Sequence, residues 1–145
     1  MTPGKGPAET GAVVVEAAIT LLSFLMLLLA IMEGGRFLNV QQTVTNAARE
    51  GARLAVAPIT QTSTLASDGE IETQVRRFLD AARISGATIT VERPLVIPSN
   101  DVPMQYTRFR VSVPYRVVSL ALFSTQGGLS VNLTGEALMR NETSP

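Results

Sequence analysis

GAVVVEAAITLLSFLMLLLAIMEGGRFLNVQQTVTNAAREGARLAV, residues 11–56, is the stretch that decides the fold. From Ala17 to Met32 every residue is apolar except Thr20 and Ser23. Adding Ala12 to Val15 gives about 20 residues, or roughly 30 Å of helix, enough to cross a bilayer. A cleavable secretory signal would have a shorter apolar run and small residues at the cut. This run ends instead in Ile31-Met32-Glu33. A core helix of a soluble domain would keep one polar side, and Leu-Met-Leu-Leu-Leu keeps none. The expectation is a retained membrane anchor over residues 12–33. Lys5 before it and Arg36 after it are too few charges to orient it.

The helical pattern continues beyond the anchor. Gly34-Gly35 marks a soft point, a bend or a close neighbour contact, because glycine costs about 1 kcal/mol against alanine inside a helix. Phe37, Val40, Val44, Ala47, Gly51 and Leu54 then recur in steps of three and four, which is one apolar stripe. Its members shrink to alanine and glycine, so a partner surface can approach closely. Glu50 and Arg53 are spaced to pair along the surface. Pro58 stops the helix. Ahead of the anchor, residues 1–10 are short, polar and rich in Gly and Pro, a composition that forms no core and reads as a disordered leader.

Downstream, Pro58 to Gly69 reads as a polar loop. Ser67 followed by Glu70 has the capping-box spacing and opens a second helix. Ile71, Val75, Phe78, Leu79 and Ala82 line one face, and Gly86 is the expected left-handed cap. Three alternating segments follow, near residues 87–92, 107–117 and 129–139, each a half-buried strand suited to an antiparallel sheet with one wet face. The loop from Pro98 to Pro103 joins the first two. Val118 to Phe123, closed by Gln126-Gly127-Gly128, reads as a short turn or helix near the membrane end, and the C-terminus should fray. The fold expected is α+β: a long N-terminal helix, a second helix and a three-stranded antiparallel sheet. Phe37, Val40, Val44, Phe78, Leu79, Phe109, Val111, Val131 and Leu133 form the expected core.

Composition removes several chemistries. The chain has 145 residues, room for one domain, with 12 basic and 12 acidic side chains and no basic stripe directed at nucleic acid. It has no cysteine and no histidine, so thiolate metal sites, cysteine nucleophiles and histidine-based triads are excluded. No phosphate loop or convergent catalytic set is visible, and no cofactor, metal or enzymatic activity is expected. Asp68, Glu70 and Glu72 cluster where they favour a helix dipole before they suggest a metal. Arg76-Arg77 reads as an exposed helix face. Arg108, Arg110 and Arg116 on the wet face of the sheet are expected to pair with Glu92 and Glu136.

The sharpest local signal is Gly11 followed five residues later by Glu16. Glycine leaves the backbone open to a peptidase at the membrane surface. Cleavage would make Ala12 the new N-terminus. A carboxylate in a membrane helix costs about 2.5–3.5 kcal/mol at the bilayer centre, less near the surface, so Glu16 needs a partner or a headgroup. Together with the leucine-rich anchor, Glu33-Gly34-Gly35-Arg36 and the run from Gln41 to Arg53, these residues resemble the TadE-like family, pilin-like proteins of the Flp/Tad (tight adherence) pilus machinery. An alternating strand closing on Met139-Arg140-Asn141-Glu142 is similar to the family's ending. Ala17 departs from it, standing where an aromatic commonly follows the glutamate.

The resemblance implies a leader (1–11) removed by a prepilin peptidase, a transmembrane helix (12–33) and an extracytoplasmic head (34–145). It implies a single-pass protein of the bacterial inner membrane that meets lipid, other pilin-like subunits, pilus assembly proteins and copies of itself. Gly11, Ala12 and Glu16 are then the processing residues. Phe37, Val40, Val44, Ala47 and Gly51 are the residues for a partner helix. The rival expectation is a membrane-tethered domain that binds a ligand or partner through Arg108 and Arg110 and never polymerises. A plain tether requires neither Gly11 nor Glu16.

Overall fold

The computed structural model describes residues 7–57, 65–97, 104–117 and 130–141, with side chains placed for residues 11–57, 65–94, 105–117 and 130–141. Helix α1 spans Pro7–Val56, helix α2 Asp68–Ala81, and strands β1, β2 and β3 span Thr88–Ile97, Met104–Arg116 and Ser130–Arg140. The strands form an antiparallel sheet in the order β1-β2-β3. The α+β expectation therefore holds, element by element. The expected loops at 58–64 and 98–103, the segment 118–129, residues 1–6 and the C-terminal residues 142–145 lie outside the described residues.

At 50 residues α1 is about 75 Å long. It starts earlier than its composition implies, inside the expected leader. Pro7 stands at the first helical position, where a missing N–H breaks no bond and the fixed φ suits the helix. Gly34 and Gly35 do not interrupt it, and neither has a neighbour within 4 Å of where a Cβ would sit.

The head is built on the last third of α1. Val44, Ala47, Ala48, Ala52 and Ala55 are wholly buried against the sheet and α2. The sheet supplies Phe109, Val111, Val113 and Leu133, and α2 supplies Ile71, Val75 and Leu79. Thr107 also points inward, and its hydroxyl donates to Asn141 Oδ1 at 2.8 Å. Close packing rests on two glycines. A Cβ on Gly51 would overlap the buried Phe109 ring, and one on Gly135 would lie 2.6 Å from the Val44 carbonyl oxygen and 2.8 Å from Thr45 Cα.

Besides Phe37, which is exposed rather than in the core, four expected positions differ. Phe78 is 43% exposed, because only the stripe Ile71, Val75, Leu79 meets the core and Phe78 lies one step round the helix. Ala82 is exposed as well, since α2 has ended there. Val131 has inward parity yet is 43% exposed. Parity selects a face of the sheet but does not cover that face at the strand's end. The left-handed residue that caps α2 is Arg83 (φ 58°); Gly86 is left-handed as expected but lies three residues further on. Arg83 N–H donates to Asp80 O and Ile84 N–H to Leu79 O, both at 2.9 Å, the paired bonds of a Schellman end. Gly86 (φ 76°) serves the link into β1, where Pro114 Cγ lies 3.4 Å from a notional Cβ.

Polar ties close the element ends. Ser67 and Glu70 form the expected capping box at the start of α2. Arg93 reaches from β1 to the carbonyls of Ala55 (3.3 Å) and Ala66 (2.9 Å) and to the Asp68 carboxylate. It thus satisfies one free acceptor, Ala55 O, at the C-terminal end of α1 with a cation, as the helix dipole favours. Arg76 pairs with Glu72 and donates to Ala87 O at 3.2 Å.

The packing yields a prediction. Gly51→Ala and Gly135→Ala should each destabilise the head by about 1–3 kcal/mol through overpacking. Gly69→Ala, where nothing lies within 4 Å, should be neutral or stabilise α2 by up to about 1 kcal/mol. Urea unfolding of the detergent-solubilised chain measures all three. Equal midpoints for Gly51→Ala and wild type would show that the helix does not need this close approach.

Candidate functional site

Gly11, Ala12 and Glu16 all lie exposed on α1. Nothing approaches within 4 Å of a Cβ on Gly11. Glu16 makes no ion pair or hydrogen bond among the described residues. Its neighbours one turn away are Ala12, Val13, Ile19 and Thr20, none of them charged. From Val13 to Met32 the large side chains are exposed on every side of the helix, Leu21 at 69% and Ile19 at 61%. None of the most apolar stretch is buried by the rest of the chain, and by length and composition this helix can cross a membrane. The one serine in the run satisfies its own hydroxyl, donating to Ile19 O at 2.9 Å.

The stripe beyond the anchor goes elsewhere than expected. Val44, Ala47 and Gly51 are buried under the chain's own sheet, and Val40 is half-buried there. Their small side chains admit β2 and β3, so they offer no open face to a partner helix. Phe37 stays 37% exposed and packs edge-on against Tyr115, with ring centroids 5.5 Å apart at 89°. The open side of this part of α1 is instead the one bearing Gly34, Gly35, Leu38, Gln42, Asn46, Arg49 and Arg53.

The anchor joins the head through a polar clamp that alternation and periodicity do not disclose. Tyr115, 4% exposed on β2, donates its hydroxyl proton to Glu33 Oε1 at 2.5 Å. Arg36 Nε donates to the same hydroxyl at 3.1 Å, and Arg36 Nη2 donates to Arg116 O at 2.6 Å. The Arg36 guanidinium also stands 5.0 Å from the centre of the Tyr115 ring and 3.7 Å from Glu33. The sequence signal was a carboxylate directly after the apolar run, with an arginine one turn on, opposite a tyrosine of inward parity. Burial, reinforced by the Glu33 hydrogen bond and opposed by Arg36, holds the Tyr115 hydroxyl above its usual pKa.

The centre of the sheet's wet face is internally paired. Arg108 meets Glu92 at 3.3 Å and Glu136 at 3.0 Å, and Arg110 meets Glu136 at 3.1 Å. This is the cross-strand pairing expected for Arg108 and Arg110; Arg116, expected to join it, has no ion pair among the described residues. Asp68, Glu70 and Glu72 are held apart, by Arg93, the helix cap and Arg76 respectively.

The clamp gives a pH prediction. Tyr115 has a folded pKa above its unfolded value near 10, so its contribution is complete below about pH 10 and is lost as pH rises through the folded value. Tyr115→Phe should remove that alkaline loss. At neutral pH it should cost about 1.5–3 kcal/mol, the range for a hydrogen bond to a charged group. Unfolding midpoints measured from pH 7 to 11.5 check both, and parallel curves for the two proteins would refute the assignment.

A family model described as TadE-like protein matches residues 11–53. No curated protein and no solved structure matches the chain. The match takes in the exposed apolar length of α1, the Glu33–Arg36 clamp and most of the small-residue stretch under the sheet. Over residues 11–53, most of helix α1, the chain is similar to the TadE-like family.

Proposed function

We propose that this chain is a structural subunit, a minor pilin or pseudopilin of a Tad or type IV-like pilus, that assembles through α1 after its leader is removed. The observation that carries the reading is an exposed apolar helix with one carboxylate, Glu16, that has no partner among the described residues and stands five residues after Gly11. A prepilin peptidase cuts between Gly11 and Ala12 and frees an α-amino group. The Glu16 charge of one subunit then meets the Ala12 amine of a neighbour. In an apolar setting that pair is worth far more than on a wet surface. The apolar helix supplies area for lateral packing, and the charge pair supplies register.

On this reading residues 12–33 cross the inner membrane, residues 34–145 form an extracytoplasmic head, and the chain works as a scaffold rather than as an enzyme. Its partners are the peptidase, other pilin-like subunits, assembly proteins, lipid and copies of itself. Pairing of Arg108 and Arg110 with Glu92 and Glu136 leaves the rival reading, a tethered ligand-binding face, without free cations at the centre of the sheet.

Two measurements test the proposal. Mass spectrometry of the wild-type protein should find Ala12 at the mature N-terminus. Gly11→Leu should leave the full-length precursor in the membrane. A Met1 start on protein recovered from assembled material would rule out processing. Glu16→Gln should insert at least as well as wild type, because an unpaired charge has gone. It should lose about tenfold in crosslinking to itself and to other pilus components, the equivalent of roughly 1.4 kcal/mol. Undiminished crosslinking with normal insertion would remove Glu16 from assembly.

A further inference from the structure

Arg36 lies one helical turn beyond Met32, where the apolar run of α1 ends. Its Nη2 reaches the Arg116 carbonyl at 2.6 Å, which brings the end of β2 to the same level as the end of the anchor. The Arg116 side chain is exposed and has no ion pair or hydrogen bond among the described residues. Arg36 spends Nε and Nη2 on Tyr115 and Arg116, and its side chain remains 46% exposed. Glu33 pairs with Arg36, and no carboxylate pairs with Arg116 among the described residues. Beside them sits the edge-on pair Phe37–Tyr115, aromatic rings at the level where such residues meet a membrane surface. Elsewhere on the sheet, Arg108 and Arg110 are neutralised by carboxylates.

We propose that Arg116, with the open side of Arg36, binds the phosphate of an anionic phospholipid and seats the head on the bilayer. Guanidinium groups match phosphate oxygens in pairs, and arginine keeps its charge at any working pH. A lipid is favoured over a free anion because the two arginines stand at the edge of the apolar helix, where acyl chains would cover its side chains while the headgroup meets the cations. The inference rests on the reading of α1 as a membrane anchor.

The test uses the full detergent-solubilised chain and native mass spectrometry, with phosphatidylglycerol and phosphatidylcholine of identical acyl chains. Wild type should retain phosphatidylglycerol in preference. Arg116→Ala should lower that retention about fivefold, the effect of one basic residue at an anionic membrane surface. Arg140→Ala should leave it unchanged. Arg140 lies at the far end of β3, about 33 Å along the strand from the partner of Arg116. Equal retention of the two lipids, or equal retention by Arg116→Ala and wild type, would overturn the proposal. So would displacement of the lipid by millimolar inorganic phosphate, which would mark a site for free anions. Carbonate extraction of wild-type membranes separates the two readings. Protein that stays in the membrane without lipid preference refutes the lipid site alone, and protein that washes off refutes the anchor.

Discussion

The head depends on how closely α1 can lie on the sheet. Two glycines set that distance, one on each side of the interface. Gly51 makes room for the Phe109 ring, and Gly135 lets the α1 backbone at Val44 and Thr45 come down on β3. The alanines between them keep the helix surface low, so Phe109, Val111 and Leu133 reach it directly. A sheet of three strands has little apolar area, and burial grows only with area removed from water. Close approach lets a small sheet make a continuous core with a single helix face and one stripe of α2. It also fixes register, since each glycine has one partner it can accommodate.

One helix thus serves two environments. Residues 11–32 show apolar side chains all round and are buried by nothing in the chain, whereas residues 44–56 are buried on one face and polar on the other. The change is not marked by a break in the backbone, because α1 runs unbroken through Gly34 and Gly35. It is marked by side chains. Glu33 and Arg36 are the first charged residues after Glu16, and both are held by Tyr115 of β2. A long helix that emerged without this clamp would leave the head attached only at its far end. With it, the head's position is referred to the point where the apolar surface stops.

Much of this was legible in the sequence. Period two placed all three strands, and their alternation gave the inward residues Phe109, Val111 and Leu133. The Ser67–Glu70 spacing gave the cap of α2. The failures have physical causes. Helical periodicity cannot say how wide a contact is, and the face of α2 is one stripe wide, which left Phe78 in solvent. Composition read residues 7–10 as unstructured, although a proline at a helix start is favourable. Gly86 is left-handed as expected, but the cap itself falls on Arg83, because propensity ranks residues and does not see the bonds to Leu79 and Asp80. Arg93 and Tyr115 were invisible as ties, since both act between segments distant in sequence.

The stripe from Val40 to Gly51 carries the wider consequence. Its small side chains invite a partner, and the chain's own sheet is that partner. Lateral contacts proposed for the head region must therefore use the opposite side of α1, where Gly34, Gly35, Leu38 and Gln42 are exposed, or must come from the anchor itself. Apolar helix surface in lipid gains little by meeting more apolar surface, since acyl chains are equally apolar. Attraction between such helices has to come from packing detail and from the few polar groups present. Between residues 11 and 32 the one serine satisfies its own hydroxyl, and the one charge has no partner among the described residues. On the proposed reading, a surface otherwise indifferent to its neighbours leaves selectivity to its few polar side chains, Thr20 and above all Glu16. That is why the proposed assembly ties register to a charge created only by cleavage: without the amine of Ala12 the helix would remain soluble in lipid as a single subunit.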